Sequence, residues 1–511
     1  MRLTRNISDL KEHSNFKLPK YDVEKVTNET IACPNWLHFG AGNIFRSYIG
    51  EICDSLLDQN LATKGIIAIE GFDEEIIDKV YDKFEGMAVS STLRSNGDIT
   101  HHVQASICKG LKLSKDLEKI KKYFLQENLQ IISLTITEKG YLITEDNIEA
   151  ENNVMVIITK LLYQRYKNNQ APITMLSLDN CTKNGELLKK NIMKVATRLY
   201  EINIVEYNFI EYIKTRVAFP ISMIDKITPQ PSKRVALELE KKGFEGMEIL
   251  KTSKQTYIAP FVNSEETEYL VVEDNFVNGR PQFEKAGVYI TSYNQVNAIE
   301  KMKVSACLNP LHTTLAILGC LLNYSNISDE MKDKELKKII SILGYDEGLK
   351  VVEKDLIINP KKFIDNVINV RLTNENIGDT PQRIAKDTSL KLNVRFGETI
   401  KSYVKSEDLD VNELEVIPLV IALWIRYLNG RDDLNNLIDR SPDPILGKYP
   451  LIENAKIGDK PDIKPLLNEV FDFDIYSIMG EKIEEKYYEL LMSNGKVREL
   501  IKQVKGKEYY E

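Results

Sequence analysis

Apolar residues fall in short blocks along the first half of the chain and in helical stripes along the second. Trp36–Phe39 is an apolar run that stops at Gly40. Ile44, Tyr48, Ile49, Ile52 and Leu56 then recur at the three-to-four-residue spacing of an amphipathic helix. Gly65–Ile69 is a second run, followed by a helix-like stretch over 73–84. Leu129–Ile136 and Ile173–Leu178 are two more, with a helical stretch over 153–167 between them. Short, mostly apolar runs of this kind read as strands covered on both faces. Their alternation with helices predicts a mostly parallel sheet in a doubly wound α/β domain. The stretch from Tyr257 to Tyr289 is rich in Val, Tyr and Phe and is punctuated by Asn278-Gly-Arg-Pro, which predicts extra strands or an arm. Past Tyr293 helical periodicity takes over, at 305–325, 331–343, 361–371, 389–405, 413–429, 465–493 and 495–505. The expected architecture is an α/β domain over 1–290 and an all-helical domain over 291–511.

Charge and cysteine content narrow the function. With 68 Lys and Arg against 76 Asp and Glu, the net charge is −8. An acidic chain of mixed signs lacks the basic face that neutralises phosphates, so nucleic acid is not an expected partner. A local cationic pocket for a small anion remains open. The six cysteines include no C-x-x-C pair, and the five histidines include no H-x-x-x-H spacing. This reads as a reduced, cytoplasmic, metal-free protein. The first residues lack the apolar core of a signal peptide. Val304 to Ser328 carries no formal charge for 25 residues, but its fully apolar part, Leu315–Leu322, is eight residues long. A bilayer needs about 20. A buried helix entered through a polar segment is expected there, not a membrane span.

Four clusters carry candidate chemistry. Gly40-Ala-Gly42-Asn43-Ile44-Phe45-Arg46 follows a strand and opens a helix, the setting in which two glycines let the backbone approach a dinucleotide pyrophosphate. The third glycine of the usual fingerprint is replaced by Phe45. Glu70, at the end of the second run, is placed to accept from ribose hydroxyls and to repel a 2′-phosphate, which favours NAD over NADP. Ser133 to Tyr141, containing Thr137 and Lys139, and Ser177 to Gly185, containing Asn180, sit at the carboxyl ends of later strands, where doubly wound sheets bind ligands. Asn180 there is either an amide donor to a substrate oxygen or part of a helix N-cap with Asp179 and Thr182. Asp73, likewise, reads as a solvated capping acid. Last, Glu300, Lys303, Asn309 and His312 lead into the uncharged stretch, and Asn309 and His312 share one helix face. A Lys beside a low-dielectric pocket has its ammonium disfavoured, which moves it toward proton transfer.

Taken as an ordered set, these motifs resemble the polyol-specific long-chain dehydrogenases, the mannitol dehydrogenase family. The matching runs are G-A-G-N-x-x-R, S-L-T-I-T-E-K-G-Y, D-N-x-x-x-N-G, Phe219 to Pro229, Val272 to Phe276, and Lys303 with Asn309 and His312, spread over about residues 35–395. The resemblance implies a Rossmann-type N-terminal domain, an all-α C-terminal domain and a bound NAD. It also implies roles: Lys303 as general acid/base, Asn180 and Asn309 as the oxyanion site, His312 orienting a substrate hydroxyl and Glu300 on a proton path. Asp225, Arg383 and Lys391 are implied at the substrate, and Lys139 adds positive charge suited to a terminal carboxylate. Gly40, Gly42, Asn43, Ile44, Phe45, Arg46, Glu70 and Thr137 are implied at the cofactor. The expected reaction is D-fructuronate and NADH to D-mannonate and NAD, by a monomer or homodimer. Oxidation of mannitol and reduction of tagaturonate are the alternatives within the family, and a catalytically silent NAD-binding sensor is the distant one. One departure stands out. Five residues separate Lys303 from Asn309 where the family has four, which leaves Lys301 as a rival proton donor. A short-chain dehydrogenase is a weaker rival: Tyr163 and Lys167 fit its Y-x-x-x-K, but its glycine motif is missing.

Overall fold

The computed structural model describes residues 2–7, 10, 16–150 and 152–505. It divides into two compact units, one reaching Arg94 and resuming over Asp98–Asn297, the other made of Ser95–Gly97 and the chain from Ala298 onward. The division falls inside a helix, Tyr293–Met302, a little past the expected boundary.

In the first unit, β1 (Trp36–Phe39) leads through a wide turn, Phe45–Ile49, into α1 (Gly50–Asp58) and β2 (Ile66–Glu70). The chain goes on to β3 (Ala88–Leu93), β4 (Ile99–Gln104), β5 (Ile107–Lys112) and β6 (Ile131–Leu134), then α2 (Val154–Asn168), β7 (Ile173–Ser177), α3 (Asn184–Glu201), β8 (Val217–Ala218) and β9 (Ser222–Asp225). Six strands form one parallel sheet in the order β5-β2-β1-β6-β7-β8. Leu37 of β1 stands between Ile67 of β2 and Ile132 of β6. The chain winds away from β1 in both directions, so the switch point of the sheet lies between β1 and β6, the place where such sheets bind ligands. Every residue of β1, β2, β6 and β7 is buried. That is why these strands are nearly continuous apolar blocks, interrupted by polar residues such as His38 and Ser133 that hydrogen-bond to each other.

The late strands expected around Tyr257–Tyr289 are present as β10 (Leu250–Lys251), β11 (Tyr257–Ile258), β12 (Phe261–Glu265), β13 (Tyr269–Glu273) and β14 (Tyr289–Thr291). They build a hairpin and two three-stranded sheets, β12-β3-β4 and β14-β13-β9. The pair β3–β4 has no counterpart in the hydrophobic pattern, because about half of its buried positions are polar. Ser91 and His101 satisfy one another across the ladder at 2.9 Å, so burial costs them little.

The second unit is helical. After α4 (Tyr293–Met302) comes a wide turn over Lys303–Cys307, then α5 (Asn309–Leu322). α5 packs beside α6 (Val416–Leu428), and α7 (Glu481–Leu490) packs on α6. All of α6 and nearly all of α5 are buried. Taken together, Tyr293–Leu322 is long and apolar enough to cross a bilayer, but most of it is enclosed by protein. The uncharged stretch is thus a core helix, entered through Asn309 and Pro310 as its pattern predicts.

Candidate active site

The glycine turn closes against the end of β6. Gly40 has φ of 107°, and its N–H donates to the Ile69 carbonyl at 2.8 Å. A Cβ there would lie 2.2 Å from the Thr135 carbonyl oxygen, so the turn admits only glycine. Gly42 differs: a Cβ would meet no protein atom, which leaves open space in front of a helix start that has no side-chain cap. Uncapped N–H groups beside an open glycine fit a phosphate. Asn43 and Ile44 are half-buried at the edge of this space.

Phe45 and Arg46 depart from the expectation that both reach the cofactor. Phe45 is fully buried and stacks on His38 of β1, with ring centroids 3.9 Å apart and planes 4° from parallel. It fills the helix–strand gap that the usual third glycine leaves narrow. Burial holds the His38 imidazole neutral, its pKa pushed down to about 3, with its nitrogens on the hydroxyls of Ser133 and Thr135. Arg46 is 1% exposed and donates to the Ala259 carbonyl and the Asn43 side chain, so it braces the turn from inside.

Glu70 stands at the end of β2 as expected and is fully engaged. One carboxylate oxygen accepts from the N–H of Ala41 at 2.7 Å, and the other from those of Gly71, Phe72 and Asp73. It ties the glycine turn to the next loop and presents a fixed acceptor at the sheet edge. Asp73 is buried rather than solvated, and one of its oxygens accepts from the hydroxyls of Thr252 and Thr256.

At the β6 and β7 ends the organising group is Asp179. It accepts from the N–H groups of Ile136 and Thr137 at 3.0 and 2.8 Å and from the Tyr141 hydroxyl at 2.7 Å. This holds Thr137 at φ of 61° and fixes the loop carrying Lys139, whose side chain is exposed. Asp179 therefore does not cap α3. The residue before that helix is Lys183, in left-handed backbone with no capping side chain. Asn184 locks the region to β9 by donating to the Ser177 and Asp179 carbonyls and to the Ser222 hydroxyl. Asn180 is exposed at the strand end. Asp225 is buried at the end of β9. Asp179 and Asn184 lay within the quoted motif, but only the hydrogen bonds reveal which neighbours they hold.

In the second unit Lys303 is 4% exposed, whereas Lys301, two residues earlier, is exposed. Side chains two apart on a helix point apart, and Lys301 borders a separate cleft lined by Ser305, Glu353, Glu398 and Ser402. The extra residue before Asn309 is taken up in the wide turn, where the Leu308 N–H reaches back five residues to the Lys303 carbonyl at 3.2 Å. The expansion absorbs one residue, and the helix restarts at Asn309 after Leu308, whose φ of −131° and ψ of −64° are not helical. Glu300 and Lys303 are three apart on one face, as are Asn309 and His312, all four within 13 positions.

His312 meets a residue that spacing did not single out. Its Nε2 lies 3.2 Å from Asp379 Oδ2, and the other Asp379 oxygen accepts from the Arg383 guanidinium. Lys391 donates to the Lys386 carbonyl. Among the described residues no group of three or more His, Cys, Asp or Glu could hold a metal ion. The short-chain rival finds no site: Tyr163 packs edge-on against Phe209 at 5.1 Å, and Lys167 pairs with Glu206 at the surface.

Residues 34–285 match the sequence profile of the mannitol dehydrogenase Rossmann domain, and 295–491 that of the mannitol dehydrogenase C-terminal domain. The chain belongs to the mannitol dehydrogenase family. Among curated relatives it is 44% identical to a D-mannonate oxidoreductase of Thermotoga maritima, over 96% of each chain. Among solved structures, a D-sorbitol dehydrogenase in substrate-free form superposes with a TM-score of 0.80 at 22% identity, covering 98% of each chain. The Pseudomonas fluorescens mannitol 2-dehydrogenase, in ternary complex with NAD and D-mannitol, gives 0.73 at 23%, covering 98% of this chain and 99% of that one. These two likenesses confirm the family fold, a Rossmann-like domain followed by a helical one.

Proposed function

We propose that this chain, an oxidoreductase acting on CH–OH groups, is an NAD-dependent reductase of a keto-sugar acid. The reaction is D-fructuronate + NADH + H⁺ ⇌ D-mannonate + NAD⁺. The observation that carries it is a buried lysine, Lys303, on the turn that feeds Asn309 and His312 into α5. The sequence likeness to a D-mannonate oxidoreductase supports the choice of substrate.

The turn from Gly40 to Ile44 and the carboxylate of Glu70 fit NAD, with Arg46 and Phe45 as supports and Thr137 at the neighbouring strand end. A hydride at the substrate carbon is what NAD held there would supply or accept. The chain's own groups handle the proton and the charge. Lys303 gives a proton to the ketone oxygen as the carbon is reduced and takes it back in the reverse direction, with Glu300 returning it to solvent. The side-chain amides of Asn180 and Asn309 donate to that oxygen and stabilise the alkoxide charge that develops on it. His312, held by Asp379, orients a neighbouring hydroxyl. Asp225, Lys139, Arg383 and Lys391 contact the rest of the sugar acid. None of the six cysteines forms a disulfide, which suits a cytoplasmic enzyme; we assign it no partner beyond its small-molecule substrate and a monomeric or homodimeric state.

Two experiments test this. A panel of D-fructuronate, D-tagaturonate and D-fructose with NADH, followed at the nicotinamide absorbance, is expected to give the highest kcat/KM with fructuronate. A preference for fructose moves the assignment to mannitol 2-dehydrogenase. Lys303→Ala is expected to lose about 10²–10⁴-fold in kcat while still binding NADH by fluorescence titration. If Lys301→Ala rather than Lys303→Ala abolishes turnover, the proton donor is misassigned.

A further inference from the structure

Among the described residues two cations in the second unit, Lys391 and Arg395, form no salt bridge with a carboxylate. Lys391 and Arg395 lie one turn apart, the Arg395 N–H donating to the Lys391 carbonyl at 2.9 Å, so their side chains share a face. Arg395 is half-buried, and its guanidinium donates to the hydroxyl of Thr313, the residue after His312 on α5. Thr313 is itself 1% exposed, so the guanidinium is drawn toward the helix that carries His312. Among the described residues no carboxylate pairs with Arg395, and burial pulls its pKa down to about 10 with no acid to offset it. Asp387 and Asp443 are near enough to favour the Lys391 ammonium, but Asp443 already accepts from the N–H and hydroxyl of Ser389.

Like charges one helical turn apart destabilise a helix, and a guanidinium withdrawn from water without a counter-ion costs more. An anion bridging the two would relieve both. Arg383, which the family resemblance places on the substrate, already has its acid in Asp379. Its charge is therefore largely answered before any ligand arrives.

We propose that Arg395, with Lys391 and Thr313, forms the subsite for the substrate's terminal carboxylate, and that Arg395 sets the preference for a hexuronate over the ketose with CH₂OH in its place. This rests on the substrate class assigned above. The guanidinium fork matches the two carboxylate oxygens, and a neutral hydroxymethyl group there leaves the Arg395 guanidinium without a counter-ion.

The experiment compares wild type, Arg395→Gln and Arg395→Lys for reduction of D-fructuronate and D-fructose by NADH, and for binding of D-mannonate by calorimetry. Arg395→Gln is expected to lower the fructuronate-to-fructose ratio of kcat/KM by roughly 30- to 1,000-fold, mainly through KM. Arg395→Lys should recover part of the ratio, since it keeps the charge and loses the fork. Equal losses on both ketoses, or no recovery with Lys, overturn the proposal in favour of a purely structural arginine. Calorimetry separates this from the substrate assignment. If wild type reduces no keto-sugar acid yet binds mannonate, and Arg395→Gln weakens that binding, the reaction is wrong and the subsite stands. If mannonate binds wild type and Arg395→Gln equally, the subsite falls whatever the reaction.

Discussion

Asp379 holds two basic side chains of the second unit at once: His312 on α5 and Arg383 four residues along its own segment. The contact places a negative charge beside the His312 ring and limits how that ring can turn. In Asp379→Asn the shape is kept and the charge lost, so His312 is less firmly oriented. We expect a fall of about 10- to 100-fold in kcat/KM on the sugar acid, with the thermal midpoint nearly unchanged. A variant of wild-type kinetics would show that His312 is held by other neighbours. Glu70 plays the same organising part at the glycine turn, where four backbone N–H groups converge on one side chain.

At the scale of an element, α5 and the turn before it show how close packing and catalytic placement are coupled. A Cβ at Gly319 would lie 2.4 Å from Glu330 Oε1 and 2.5 Å from Pro381 Cγ, so the helix and the segment leading to Arg383 meet with no spare volume. Helix propensity alone favours alanine over glycine by about 1 kcal/mol. Overpacking at such a contact costs about 1–3 kcal/mol. Gly319→Ala is therefore expected to lower the urea midpoint and, by displacing Pro381, to raise KM as well. An increase in the midpoint would show that the Glu330 side chain moves aside freely.

Across the whole molecule, buried carboxyls tie stability to pH. Glu347 is buried, and its carboxylate accepts from the N–H groups of Glu415, Val416 and Ile417 at the start of α6. Burial outweighs those bonds and pushes its pKa up from 4.5 to about 7. The protonated form is thus the one the fold favours. Its contribution is complete below pH 4.5 and is lost as pH rises through 7. A shift of that size corresponds to something on the order of 3 kcal/mol. Urea denaturation between pH 4.5 and 8 should show this decline, and Glu347→Gln, which stays neutral and keeps one acceptor, should flatten it. His38 runs the other way: held neutral down to about 3, it makes stability fall as pH drops from 6.5 through that value.

Much of this protein was legible before folding was considered. The strands β1, β2, β6 and β7 were visible because a strand covered on both faces is apolar at most positions. The helical half was visible because burial of one face repeats every three to four residues. The order of short polar motifs at strand and helix ends pointed to the family whose profiles the chain matches. What the one-dimensional pattern left undecided were contacts between residues far apart in the chain. The strands β3 and β4 hide their burial because about half of their buried positions are polar, Ser91 and His101 among them bonded to each other. Arg46 looks like a phosphate ligand until Ala259, 213 residues away, takes its guanidinium. Glu300 three residues earlier favours Lys303 over Lys301 in the sequence, and burial of Lys303 beside an exposed Lys301 is what the folded helix adds. Asp379 and Arg395 acquire meaning from the α5 residues they touch. Spacing along a chain reports which face a residue is on, but hydrogen bonding and charge depend on distance in space, and that is set only once the elements pack.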